Sequence, residues 1–228
     1  MRKKVIQILL CCFVAMFCII SCKKDKPVPP LNWGYNYFPN NVGHYVIYNC
    51  DSIVLDKFTG KTDTFLYQIK EVIDSIYPDN TGRPTQRIVR YKRPTDTSSW
   101  VLQKVWSGNL TTTTAERVED NIRYVKLTFP VKANAVWNGN VDNTIGEWDY
   151  QYTALDVPAT VNSVYFDSSL TVLQLSNFNG LQLQNYKEQY ARNFGLIFKQ
   201  VIDESADSIY GRYTSGVIYT ETYVSSGN

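Results

Sequence analysis

From Tyr35 to the C-terminus, apolar and polar positions alternate with a period of two, in short runs broken by turn residues. In "TDTFLYQIKEVIDSI", Phe65, Tyr67 and Ile69 share one face while Gln68 and Lys70 take the other, as on a half-buried strand. "HYVIYNCDSIVLD" reads the same way, with Tyr45, Ile47 and, after a slip, Cys50 opposite Val46 and Tyr48. Further strands are predicted at "RIVRYKR", "WVLQKVW", "NIRYVKLTFPV", "EWDYQYTAL", "SLTVLQL", "GLIFKQVID" and "GVIYTETYV", the last a closing strand. Between them stand "FTGKTD", "YPDNTGRP", "RPTDTSS" and "VEDN", whose Gly, Pro, Asn and Asp suit tight turns. This spacing predicts a mainly β, antiparallel fold, a curled sheet, barrel or half-barrel of about ten strands. One segment departs from it. "LQNYKEQYARNFG" sets Tyr186 and Tyr190 four apart with charged residues between and Gly195 beyond, which predicts a short helix over about residues 184–193 with a glycine stop.

The N-terminus has a different pattern. Arg2, Lys3 and Lys4 precede an unbroken apolar run from Ile8 to Ile20. That run is shorter than the about 20 residues a membrane-spanning helix needs, and it has the layout of a removable export signal. Ile19, Ile20, Ser21 and Cys22 resemble a bacterial lipobox, which implies cleavage before Cys22 and acylation of its thiol. Several acyl chains on one residue suffice for stable anchoring to a membrane. The chain then divides into a signal at 1–21, a Pro-rich tether at 22–34 and one β-rich domain at 35–228. A Pro-rich tether is stiff and extended.

Removing the signal changes the charge. Lys plus Arg falls from 23 to 20 against 21 Asp plus Glu. The apparent basicity of the chain resides in the discarded segment, and no basic field remains to attract nucleic acid. Three of the five cysteines, Cys11, Cys12 and Cys18, leave with the signal. Cys22 is the expected lipid acceptor, and Cys50 reads as a buried thiol in a strand. A cysteine nucleophile needs a base, and His44 is the sole histidine. A Cys50–His44 pair is possible but has no local signature, any triad would have to use His44, and a multi-histidine metal site is ruled out; no cofactor or metal is expected. Asp142, Glu147 and Asp149 offer oxygen ligands, but their spacing is not that of a calcium loop; alternation with Trp148 and Tyr150 places the two later acids on a solvent face.

Aromatic residues make up 14% of the chain, with 17 Tyr and 5 Trp. Such rings suit both strands and sugar or amphiphile stacking. Asp precedes Ser or Thr six times, where chance gives about two, and Asp-Ser-Ile occurs at Ser52, Ser75 and Ser208. Asp-Ser/Thr-aliphatic resembles an O-glycosylation acceptor used by one group of Gram-negative bacteria on exported proteins. Turn-to-strand chemistry explains the same pattern.

"YFPNNVGHYVIYNCDS", "VWNGNVDN" and "YKEQYARNFGLIFKQV" together resemble a family of uncharacterised Gram-negative lipoproteins, over roughly Tyr37 to Val201. They match, in turn, its opening turn and first strand, its Trp-Asn-Gly-Asn turn, and its Tyr-rich helix with closing strand. The middle strands match in period only, and Phe194 replaces a smaller aliphatic residue. The resemblance implies export, lipid anchoring in the cell envelope, at the outer membrane, and one β-rich domain; it transfers no catalytic residue. Two functions are expected to compete. One is a non-catalytic module that binds a hydrophobic, glycan or protein partner. The other is an anchored glycoside hydrolase working through paired carboxylates. A deep pocket with two convergent acids favours the hydrolase; an apolar concavity favours the binding module.

Overall fold

Twelve strands follow one another as a simple meander whose ends meet. In the computed structural model, which describes residues 33–208 and 211–228, they run β1 Tyr45–Asp56, β2 Lys61–Pro78, β3 Pro84–Arg93, β4 Val101–Leu110, β5 Thr114–Glu119, β6 Ile122–Thr128, β7 Val136–Asn138, β8 Asp149–Val161, β9 Val164–Phe178, β10 Gln182–Ala191, β11 Gly195–Ala206 and β12 Tyr213–Gly227. All pairings are antiparallel, and the order is β6-β5-β4-β3-β2-β1-β12-β11-β10-β9-β8-β7. The first and last strands are thus neighbours, paired from Tyr45↔Gly227 to Leu55↔Gly216. The result is a nearly closed antiparallel barrel, as the alternation predicts.

The strand count exceeds the expected ten because β5 and the three-residue β7 carry little apolar alternation of their own. The helix expected at 184–193 is instead β10. Its Tyr186, Glu188 and Tyr190 point into the barrel while Lys187 and Gln189 point out, so the tyrosine spacing obeys period two as well as it obeys a helical turn. Glu188 is 1% exposed, and a charged residue on the inner face disguises a strand as an amphipathic helix. Gly195 has φ +82°, not as a helix stop but at the exit of the β10–β11 turn. In β1, Val46, Tyr48 and Cys50 share the inner face without a slip.

The seam of the barrel lies between β6 and β7, midway along the chain. Here side chains stand in for much of the missing ladder. The Trp137 indole donates to the Val125 carbonyl at 2.8 Å, and the Tyr152 hydroxyl both accepts from Thr128 N and donates to Thr128 O at 2.9 Å. Asn143 Nδ2 donates to the Arg123 carbonyl at 2.7 Å, and the one direct backbone bond runs from Val125 N to Gly139 O at 2.9 Å. A free strand edge is an aggregation liability, and the Trp-Asn-Gly-Asn turn covers this one. A Cβ on Gly139 would sit 2.4 Å from the Tyr150 ring. Gly139→Ala is therefore expected to cost about 1–3 kcal/mol through forced displacement of that ring or of the seam, read as a lowered urea midpoint. A change below about 0.5 kcal/mol, the range of ordinary surface substitutions, would show that the seam does not constrain this turn.

At one end the N-terminal segment plugs the barrel. A 3-10 turn at Tyr35–Tyr37 buries Tyr37 completely, with its hydroxyl bonded to Asp156 and Ser168. Trp33 and Gly34, which composition groups with the tether, contact the barrel: Val131 N donates to the Trp33 carbonyl at 3.2 Å. Expectations for the signal, for Cys22 and for the rest of the tether fall outside the described residues. The plugged half holds the apolar core, including Tyr48, Ile69, Leu127, Leu170, Val172 and Ile197. The opposite end is open.

Candidate functional site

A layer of charged side chains crosses the barrel between its apolar core and its open end, and seven of the twelve strands contribute. Glu71 stands on β2, Arg90 on β3, Arg117 and Glu119 on β5, Lys126 on β6, Glu188 on β10, Lys199 on β11 and Glu221 on β12. All sit on inward positions, brought level by register: Glu71 pairs with Arg90, Glu188 with Lys199 and Lys199 with Glu221. Four cations face four carboxylates in a continuous chain. Glu221 meets Arg90 at 2.7 Å, Arg90 meets Glu71 at 3.0 Å, and Glu71 meets Arg117 at 2.9 Å. Lys126 then bridges Glu119 at 3.1 Å and Glu188 at 2.9 Å, with Lys199 behind it at 3.4 and 3.6 Å from the same two acids. The Arg90–Glu71 contact is close but out of line, so Glu71 Oε1, Arg90 Nε and Arg117 Nε have charge partners without a directed hydrogen bond.

Burial alone would neutralise these groups. Burial opposes ionisation of Glu119 and Glu188, but Lys126 and Lys199 outweigh it and hold both carboxyls below the usual range. Burial likewise works against the charge on Lys126, and Glu119 and Glu188 overcome it, so its ammonium is held more tightly than usual. Aromatic side chains complete the layer. Trp106 lies 3.8 Å from the Arg90 guanidinium and 5.2 Å from that of Arg117. The hydroxyls of Tyr190 and Tyr219 donate to Glu188 and Glu221.

Above this layer the open end forms a cavity of about 440 Å³, a size usual for small-molecule sites. Its floor is Arg90, Glu119, Lys199 and Glu221; its walls carry the rings of Tyr67, Trp106, Tyr124 and Tyr219 with Ile69, Val201 and Val217; Lys104 and Asp120 stand at its edge. Lys104 pairs with Asp120 at 2.8 Å, and the Trp106 indole donates to the same carboxylate at 3.1 Å. Lining cations and anions balance, so the cavity has no net charge to select a free cation or anion. It is neither an apolar concavity nor a pair of isolated acids.

The residues singled out from sequence lie elsewhere. Cys50 is buried level with the layer, opposite Glu221 in register, its thiol pushed up to about 12 by desolvation and then by Glu221; Tyr219 donates to its sulfur at 3.6 Å. His44 is no base for it. Its ring nitrogens meet Asn228 Oδ1 at 3.1 Å and the Phe194 carbonyl at 3.3 Å, at the plugged end. Asp142, Glu147 and Asp149 are exposed, and among the described residues no group of three or more His, Cys, Asp or Glu is placed to hold a metal ion. Ser52 lies within β1 and Ser75 within β2, both half-buried, while Ser208 is exposed beyond β11. Turn chemistry thus accounts for Asp207-Ser208 and not for Asp51-Ser52, which is paired on both sides.

Fold and site together define a small β-barrel with a charge-balanced floor and an open, aromatic-lined mouth. No protein-family model matches the chain, and no curated protein does. Among solved structures it is similar to one from Bacteroides fragilis NCTC 9343 described as a "putative exported protein with YmcC-like fold", at 8% identity and a TM-score of 0.46, covering 84% of this chain and 98% of that one.

Proposed function

We propose that the protein is a lipid-anchored envelope lipoprotein whose barrel mouth binds a small polar ligand without transforming it. The observation that carries this reading is the cavity above the charged layer, where aromatic faces alternate with charged groups that hold each other in place. Rings flanked by fixed donors and acceptors suit ligands with a flat apolar face and many hydroxyls, as sugars have. A glycoside hydrolase needs one carboxyl kept protonated by its surroundings. Glu119 is held ionised by Lys126, Lys199 and Arg117 despite burial, and Glu221 is paired with Arg90; both are counter-ions before they are acids.

Anchoring rests on the lipobox-like "IISC" and is tested directly. Cys22→Ser is expected to move the protein from the membrane fraction to the soluble fraction, and native protein is expected to carry acyl mass on its first residue. Retention of the Cys22→Ser variant on membranes with unchanged processing would refute it. The same intact-mass measurement reads glycan additions at Ser52, Ser75 and Ser208, of which Ser208 is the most open to a transferase.

A further inference from the structure

We infer that the ligand of the mouth is an amphiphile, held with its polar head against the charged floor and its apolar chain along one wall. This rests on the mouth being a ligand site, and it specifies the ligand's class. Four inward-facing strands rise beyond the floor on one side of the opening, β2, β1, β12 and β11. Their inward positions beyond the floor carry Phe65, Val54, Tyr219, Val217 and Val201, interrupted by Ser52 and Asp63. On β1, Ser52 is flanked by Phe65 and Tyr219, and Val54 by Asp63 and Val217; Val201 pairs with Tyr219. Phe65 is 52% exposed and Val54 37%, although both lie on the face that is buried lower in the barrel. Val201, Val217, Tyr67 and Tyr219 line the cavity itself, so the apolar wall is continuous with the polar site and not a separate patch.

Past β11 the lining changes. There β10 presents Tyr186 and Gln184, both hydrogen-bonded to Asp203 of β11 at 2.6 and 3.3 Å. The mouth is therefore polar at its floor and on the β10 side, and apolar along β2, β1 and β12. A free sugar would leave the apolar wall wet, and a plain hydrocarbon would desolvate the floor, which is costly. A molecule with a neutral or zwitterionic head and a short exposed chain satisfies both. The balanced charges of the floor exclude a head with strong net charge of either sign.

The test uses the full chain carrying Cys22→Ser and calorimetry with four probes kept below micellar concentration: glucose, octyl glucoside, glycerophosphocholine and octylphosphocholine. Burial of two methylene groups corresponds to about a tenfold gain in affinity. At least one octyl compound is expected to bind one-to-one and tenfold or more tighter than its own head group. The head series that shows the gain identifies the head as polyhydroxyl or zwitterionic. Phe65→Ser is expected to reduce that ratio several-fold. A head group that binds as tightly as its octyl derivative overturns the amphiphile and leaves the mouth a polar-ligand site. Failure of all four probes to bind overturns both.

Discussion

Replacing Arg117 by methionine is expected to remove about 3–5 kcal/mol of stability, the cost of leaving buried charges without their partner. Arg117 is fully enclosed, bonded to Glu71 at 2.9 Å, close to Glu119 and seated beside Trp106. Methionine fills similar volume but answers neither carboxylate. Glu71 would retain Arg90, and Glu119 its two lysines, so the layer would carry one net negative charge in a water-poor interior. Urea denaturation measures the loss. Adding Glu71→Gln to Arg117→Met restores neutrality, and the double variant is expected to be more stable than Arg117→Met alone by about 1 kcal/mol or more. Strictly additive losses would show that Glu71 and Arg117 do not stabilise each other. The same layer sets the acid limit. Glu119 and Glu188 have folded pKa values below the unfolded ones, so their contribution is complete above the usual glutamate range of about 4.3. It is lost only as pH falls through the lower folded values.

At the alkaline end the barrel is expected to fail in one steep step. Burial, then the neighbouring carboxylates, holds the phenols of Tyr48, Tyr150, Tyr190 and Tyr219 well above the ordinary range. Burial also pushes Tyr152 to about 12. The unfolded chain releases tyrosine protons near pH 10, while the folded chain keeps them. Above that point the unfolded state binds fewer protons, so stability falls as pH rises. Lys126 and Lys199 act in the same direction. Burial opposes their charge, but Glu119 and Glu188 raise both above the ordinary lysine value, so their contribution is full below about pH 10.4 and declines above it. Each fully shifted group removes about 1.4 kcal/mol per pH unit, and the four most perturbed tyrosines together remove about 5 kcal/mol per unit, comparable with the whole stability of a domain. The final rise in tyrosinate absorbance, that of the buried phenols, is expected to coincide with loss of the circular-dichroism β signal. Tyrosinate absorbance reaching its full value while the β signal stays intact would contradict it.

The strands were legible in the sequence where the inner face is apolar, and obscured where it is charged. Phe65, Tyr67 and Ile69 mark β2 by alternation, and the predicted closing strand is the one that pairs with β1. Glu71, Arg90, Arg117, Lys126, Glu188, Lys199 and Glu221 each read locally as a solvent residue. β10 suffered most, since Glu188 between two tyrosines mimics a helix face. These residues come together only through register, across separations such as the 131 positions between Arg90 and Glu221. A pairwise signal of that range is absent from local periodicity. The Trp-Asn-Gly-Asn turn stood out in sequence without a role, and the seam supplies one: its indole, its glycine and its neighbours replace strand-to-strand bonds.

The meander also orders how the fold can be completed. Strands within β1–β6 and within β7–β12 meet by closing short loops, which costs little chain entropy. The clasp that turns two half-sheets into a barrel joins Tyr45 to Gly227, with the His44 ring against Asn228 across 184 positions. Long-range closure is the slow class of contact in folding, and here it waits for β12. Until β12 docks between β1 and β11, the strands form an open sheet with a charged inner face. Docking of β12 also brings Glu221 to Arg90, so the barrel and its charged layer are completed in the same step.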